Sequence, residues 1–173
     1  MAAVPPAVAA TSVMQAAPGA PGRNLGENKP GEPPFQMKIE PEGKIAFRAK
    51  DLTAQRNITE VKLINTTKVR QTFKIKCTSN DIFRLRPPIG FINPDETISI
   101  KFIATCKTIP ENNRHFFAIY HMPSDETQKP ARQIWVPTSK PEGVKRIVCS
   151  FENEDGTPVG PAAGASVMNP PAA

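Results

Sequence analysis

Two histidines, three cysteines and a scatter of carboxylates are the residues with which this 173-residue chain could ligate a metal or move protons. His115 and His121 both fall in the run Arg114-His115-Phe116-Phe117-Ala118-Ile119-Tyr120-His121-Met122, which reads as a strand. Their even spacing can place them on one face, but six residues of extended chain span about 20 Å, too far for both rings to ligate one ion. Cys77, Cys106 and Cys149 are odd in number and lack metal-ligand spacing. Each lies in or at the end of an apolar-alternating run and reads as a reduced, buried small hydrophobe, which implies a cytosolic setting. No carboxylate pair stands in an acid/base context, no glycine-rich loop could cradle a phosphate, and no cysteine carries a nucleophile signature. The chain is therefore expected to be no enzyme, with no catalytic, metal-binding or cofactor-binding residues, and its chemistry is expected to be recognition.

The net charge of +6 sets the sign of that recognition. The basic residues (Lys62, Lys68, Arg70, Lys74, Lys76, Arg84, Arg86 and Lys101) are spread along the expected strands, and aromatic residues make up only 6% of the chain. That distribution argues against nucleic acid and for the solvent side of a sheet, a positive face that can meet an acidic protein or a membrane surface. Residues 1–34 and 156–173 are rich in alanine, proline and glycine and carry too little bulky apolar surface to offset the entropy of ordering. They read as disordered tails around a single domain at residues 35–155. The sequence shows no signal-peptide pattern and no apolar run long enough to span a bilayer, so the sequons at Asn57 and Asn65 read as turn chemistry.

Strands are the elements that must position these side chains. Phe73, Ile75 and Cys77 alternate with Thr72, Lys74, Lys76 and Thr78, the period of a strand with one buried face. After a turn at residues 78–81, Phe83 and Leu85 alternate with Arg84 and Arg86. Pro87-Pro88-Ile89-Gly90 interrupts the ladder and marks a crossing or an edge, with Pro88 a candidate for a cis bond. Phe91-Ile92, the turn Asn93-Pro94-Asp95-Glu96 and the row Ile98, Ile100, Phe102 complete this central run. Val61 and Leu63 point inward from an earlier strand, and Ile147, Cys149 and Phe151 from the last one. Residues 114–122 are apolar on both faces, which predicts a central strand or an exposed aromatic patch. Trp135 is expected to anchor the core. Short strands with this punctuation predict an all-β, immunoglobulin-like, seven-stranded β-sandwich.

The central run resembles the major sperm protein (MSP) domain. The matching residues are Lys74-Ile75-Lys76-Cys77-Thr78, then Arg86-Pro87-Pro88-Ile89-Gly90, then Phe91-Ile92-Asn93-Pro94-Asp95-Glu96-Thr97. The Pro-Pro-x-Gly form is more similar to nematode sperm proteins than to the membrane-tethered VAP relatives, which usually carry Pro-Asn-x-Gly. The resemblance implies a first strand broken at Pro41, so that its halves join different sheets, and a hairpin closed by Asn65.

Nematode sperm crawl on MSP filaments, so the resemblance implies a cytoskeletal accessory protein of the sperm pseudopod cytoplasm that associates with those filaments and modulates their assembly. Its expected partners are the filaments or other MSP-domain proteins, with homo-oligomers possible and tails that space or limit contact. The alternative it implies is a soluble VAP-like adapter, because VAP-type relatives bind acidic, aromatic-containing FFAT peptides on a basic face. Carried onto this chain, that face comprises Lys74, Lys76, Thr78 and Ser79, together with His115 and Phe117. Here Cys77 replaces a threonine, and His115 and Phe117 stand where lysine and methionine are expected.

Overall fold

In the computed structural model, which describes residues 25–111 and 114–159, the alternating segments form nine strands in two facing sheets. The first sheet is ordered β1-β3-β7-β5, built from β1 (Lys38–Glu40), β3 (Asn57–Ile64), β7 (Thr97–Ala104) and β5 (Phe83–Arg86). The second is ordered β2-β9-β8-β4-β6, from β2 (Ile45–Arg48), β9 (Gly143–Glu152), β8 (Phe116–Pro123), β4 (Gln71–Cys77) and β6 (Ile89–Ile92). All ladders are antiparallel except β2 with β9. The expected fold class holds, and β8, apolar on both faces, is the middle strand of its sheet.

The count exceeds seven because two predicted strands are each divided by proline, which cannot donate to a ladder. At Pro41 the chain leaves the first sheet as β1 and enters the second as β2, and at Pro87-Pro88 it passes from β5 to β6. The second crossing corrects one expectation. The cis bonds precede Pro41 and Pro87, not Pro88, whose carbonyl accepts the Ile75 N–H at 2.8 Å.

Phe47, Phe73, Phe83, Phe102, Phe117 and Phe151 are wholly buried between the sheets. Phe117 meets Phe83 and Phe102 edge to face, at centroid separations of 5.0 and 4.7 Å. Each such ring contributes roughly 2–3 kcal/mol by leaving water. Asn65 ties the hairpin as expected: its amide donates to the carbonyls of Val69 and Ile92, and its side-chain oxygen accepts the Thr67 N–H.

Trp135 does not anchor this core. It ends a single helical turn, α1 (Ala131–Ile134), laid over the outer face of the second sheet. There it is half-buried, and its indole N–H donates to the Thr72 hydroxyl at 3.0 Å. Thr72, expected to face solvent, is consequently buried.

Part of each predicted tail is among the described residues. Residues 25–34 run beside the start of β9: Pro34 forms a parallel bridge with Val144, the Val144 N–H donates to the Pro33 carbonyl at 3.0 Å, and the Asn28 amide donates to the Val144 carbonyl at 2.7 Å. At the other end, the Val159 N–H donates to the Phe151 carbonyl. The remainder of both predicted tails lies outside the described residues.

His121 seals one end of the sandwich, wholly buried. Its Nε2 accepts the Gln36 backbone N–H at 3.1 Å, so Nδ1 carries the proton and donates to the Gln71 side-chain Oε1 at 2.9 Å. Burial lowers its pKa to about 4 and keeps the ring neutral.

Candidate protein-binding face

Strand alternation divides β4 into an inner row, Phe73, Ile75 and Cys77, and an outer pair, Lys74 and Lys76. β6 accompanies β4 only from Gln71 to Lys74. Past the Ile75–Pro88 hydrogen bond, β4 continues to Cys77 without a strand neighbour on that side among the described residues. β5, in the opposite sheet, is also an edge strand, paired only with β7. The two edges bound a cleft of about 420 Å³. Ile75, Phe83, Leu85 and Pro88 give it an apolar lining, Asn80 and Cys77 add neutral polar atoms, and Lys76 and Arg84 supply positive charge; among the described residues no carboxylate lines it.

The alternation of ladder bonds also orients the backbone here. The Ile75 N–H faces β6, so the peptide groups of Cys77 point along the same edge, beyond the end of β6. The Thr105 N–H donates to the Ile82 carbonyl, which turns the peptide groups of Leu85 away from β7. An extended segment entering the cleft would meet strand edges as well as side chains.

On the outer face, Lys76, Ala118 and Arg146 lie in register across β4, β8 and β9. The Lys76 ammonium sits 5.8 Å from the centre of the Tyr120 ring. Burial, then repulsion from Lys74 and Arg146, lowers its pKa. The Arg146 side chain is 4% exposed, and its guanidinium makes a forked pair with Glu32, Nε at 2.9 Å and Nη2 at 2.6 Å. It also lies 5.4 Å from the centre of the Phe116 ring. Burial opposes its charge, but the hydrogen bond from Arg146 to Glu32 and the nearby Tyr120 hold its pKa above the ordinary value. Nη1 is buried without a hydrogen-bond acceptor among the described residues.

Of the predicted site residues, Lys74 and Lys76 stand on this face. Thr78, Ser79 and His115 gather where β4 leaves the sheet. Thr78 Oγ1 lies 2.8 Å from His115 Nδ1 and accepts the Phe116 N–H at 3.3 Å. The imidazole packs edge-on against Phe83, 5.4 Å between centres. Burial and then Arg114 lower the His115 pKa, so this position offers no fixed charge near neutrality. Ser79 contributes its carbonyl, which accepts the Phe83 N–H at 3.1 Å and the Cys77 thiol at 3.5 Å. Burial raises the Cys77 pKa and keeps it a thiol.

Phe117 is not on the face at all. It is fully buried in the core, paired in register with Cys77 and packed between Phe83 and Phe102. The β8 residues that look outward beside the basic strand are Phe116, Ala118 and Tyr120. Of the two residues expected in place of lysine and methionine, His115 sits at the end of the strand beside Thr78 and Phe117 faces the core. The cleft residue Leu85 and the pair of Arg146 with Glu32 were not anticipated. Arg146 could have been found from its alternation with Ile147, whereas Glu32 sat in a segment whose composition reads as tail.

Among the described residues no group of three or more His, Cys, Asp or Glu could hold a metal ion, and no helix is long and apolar enough to cross a membrane. Residues 36–140 match the family model of the MSP (major sperm protein) domain, more than half of the chain. The chain belongs to the major sperm protein domain family. An uncharacterised Caenorhabditis elegans protein is 38% identical to it over 146 residues, covering 72% of this chain and 80% of that relative. A second relative from the same worm is 44% identical over 93 residues, covering 53% of this chain and 69% of its own length. The vesicle-associated membrane protein/synaptobrevin-binding protein of Aplysia californica is 26% identical over 134 residues, 74% of this MSP-domain chain and 50% of its own length. Among solved structures, SSP-19, an MSP-domain protein-like family member of C. elegans, superposes with a TM-score of 0.54 at 20% identity. It covers 66% of this chain and 97% of its own, a likeness of fold.

Proposed function

We propose that this MSP domain is a non-enzymatic recognition module that holds an extended, acidic segment of another protein along the β4–β5 cleft. The observation that carries the reading is the cleft itself, with apolar walls, cations at its mouth, no lining carboxylate among the described residues and a strand edge on either side. A bound segment would place one apolar side chain against Phe83 and Leu85 and pair carboxylates with Lys76 and Arg84. Its backbone would bond the Leu85 edge, so strand addition supplies affinity and the side chains supply selectivity. A relative described as synaptobrevin-binding supports a protein ligand for domains of this kind. The expected affinity is modest, on the order of 10 µM, or about −7 kcal/mol.

The test is titration of a fluorescent extended peptide bearing one phenylalanine between aspartates. Binding should weaken with salt, fall at least about tenfold in Lys76→Glu, where attraction becomes repulsion, and disappear in Leu85→Asp. Binding indifferent to all three changes would refute the reading.

The same free β5 edge supports a second reading, a cytoplasmic accessory protein of MSP filaments in crawling sperm, since a strand edge is where another chain adds. Co-sedimentation with assembled filaments tests it: the protein should pellet with them and Leu85→Asp should not.

A further inference from the structure

We propose that residues 25–34 form a strap in which Glu32 is a built-in competitor for the acidic ligand, masking Arg146 until a sufficiently long acidic segment displaces it. This rests on the cleft reading above and adds regulation to it.

The strap is anchored beside Arg146, at Val144 and at the guanidinium itself. Glu32 forks onto the guanidinium, the Asn28 amide reaches the carbonyls of Val144 and Pro33, and the Val144 N–H donates to the Pro33 carbonyl. Glu32 is presented by a tight turn: its N–H donates to the Lys29 carbonyl, its carboxylate accepts the Lys29 N–H at 2.7 Å, and Gly31 supplies the positive φ of 89°. The turn therefore aims a carboxylate at a cation on the outer face.

That cation belongs to the same charge system as the cleft. Lys76 lines the cleft and lies in register, across Ala118, with Arg146. Alanine at the middle position keeps the direct line between the two backbones low, and the Tyr120 ring stands beside both cations. Adjacent strands are about 4.8 Å apart, so Lys76 and Arg146 stem from backbones about 10 Å from one another. A ligand whose carboxylates continue from the cleft across β8 reaches the Arg146 guanidinium, which already holds one carboxylate and still has Nη1 without an acceptor. A short ligand ends at Lys76 and does not meet the strap. The two lengths should thus respond differently to anything that loosens Glu32.

The experiment uses the full chain and two fluorescent peptides, the short one described above and the same peptide extended by four glutamates. Glu32→Gln should tighten the long peptide by about tenfold, the worth of one charge-assisted hydrogen bond released from competition, and leave the short one within about twofold. Asn28→Ala, which loosens the strap while keeping Glu32, should act in the same direction more weakly and serves if Glu32→Gln melts early. Hydrogen exchange at the Val144 amide should speed up when the long peptide binds the wild-type protein and stay unchanged with the short one. If the short peptide binds, yet neither variant favours the long one and Val144 exchange stays still, the strap proposal is wrong and the cleft reading stands. If neither peptide binds any of these proteins, the cleft reading fails and takes the strap with it.

Discussion

Glu152 at the β2–β9 edge and Glu32 against β9 are both carboxylates paired to cations, and they differ in which member of the pair is buried. At the edge the acid is enclosed. Glu152 has a side chain 2% exposed, and it accepts hydrogen bonds from Lys44, Arg48 and Ser150, the two cations being about half exposed. Burial opposes its charge, but those donors outweigh it and bring its pKa to about 2. On the outer face the enclosed member is Arg146, and the acid comes from a segment outside both sheets. The enclosed charge comes from β9 in each case, and its partner is the more exposed member of the pair. The edge surrounds its acid with three donors, whereas on the outer face one acid meets an enclosed cation, the arrangement on which the proposed strap rests.

The largest expected effect tests that asymmetry at its enclosed member. Glu152→Ala should cost about 3 kcal/mol in chemical denaturation, because two converging cations and the Ser150 hydroxyl lose their acceptor. A loss below about 1 kcal/mol would erase the distinction between the two sites. Next comes acid titration of stability. His121 titrates at about 4 in the fold against an ordinary 6.5. The unfolded chain therefore binds a proton across that window while the folded one does not, and stability must fall as pH drops from 6.5 toward 4, by about 3 kcal/mol. Glu152 extends the decline below about 4.5, where its salt-bridged form begins to lose its advantage. His121→Gln should flatten the upper part of that curve and leave the lower part intact. The smallest effect belongs to the more exposed partner: Arg48→Ala should cost about 0.5 kcal/mol, since its exposed cation is screened and Lys44 still holds the acid. A cost comparable to that of Glu152→Ala would mean the edge is held by its cations after all.

The same contrast describes what the amino-acid sequence reveals. Where one face of a strand is apolar and the other charged, as around Lys74 and Lys76, the period of two assigns both faces, and the crossings at Pro41 and Pro87-Pro88 follow from the missing amide hydrogens. β8 is apolar on both sides, so the pattern has no phase, and Phe117, expected on the binding face, lies in the core. Thr72 and Trp135 depart for a tertiary reason: the segment carrying α1 covers that part of the sheet, so an outward threonine becomes the acceptor for an indole. Composition separated the proline- and alanine-rich ends but could not reveal that residues 25–34 are ordered by contacts to the far end of the chain, 116 positions away in the case of Asn28 and Val144. The cleft has no local signature, because its walls come from two sheets.

Opposite His121, Gly143 leaves room for an imidazole where any other residue would not: a carbon added at its α position would lie 2.2 Å from Nε2. That nitrogen is the acceptor for the Gln36 amide. A single methyl at residue 143 would therefore evict the ring and unfasten the backbone two residues after the strap, so the anchorage of the leading segment depends on a vacancy one atom wide.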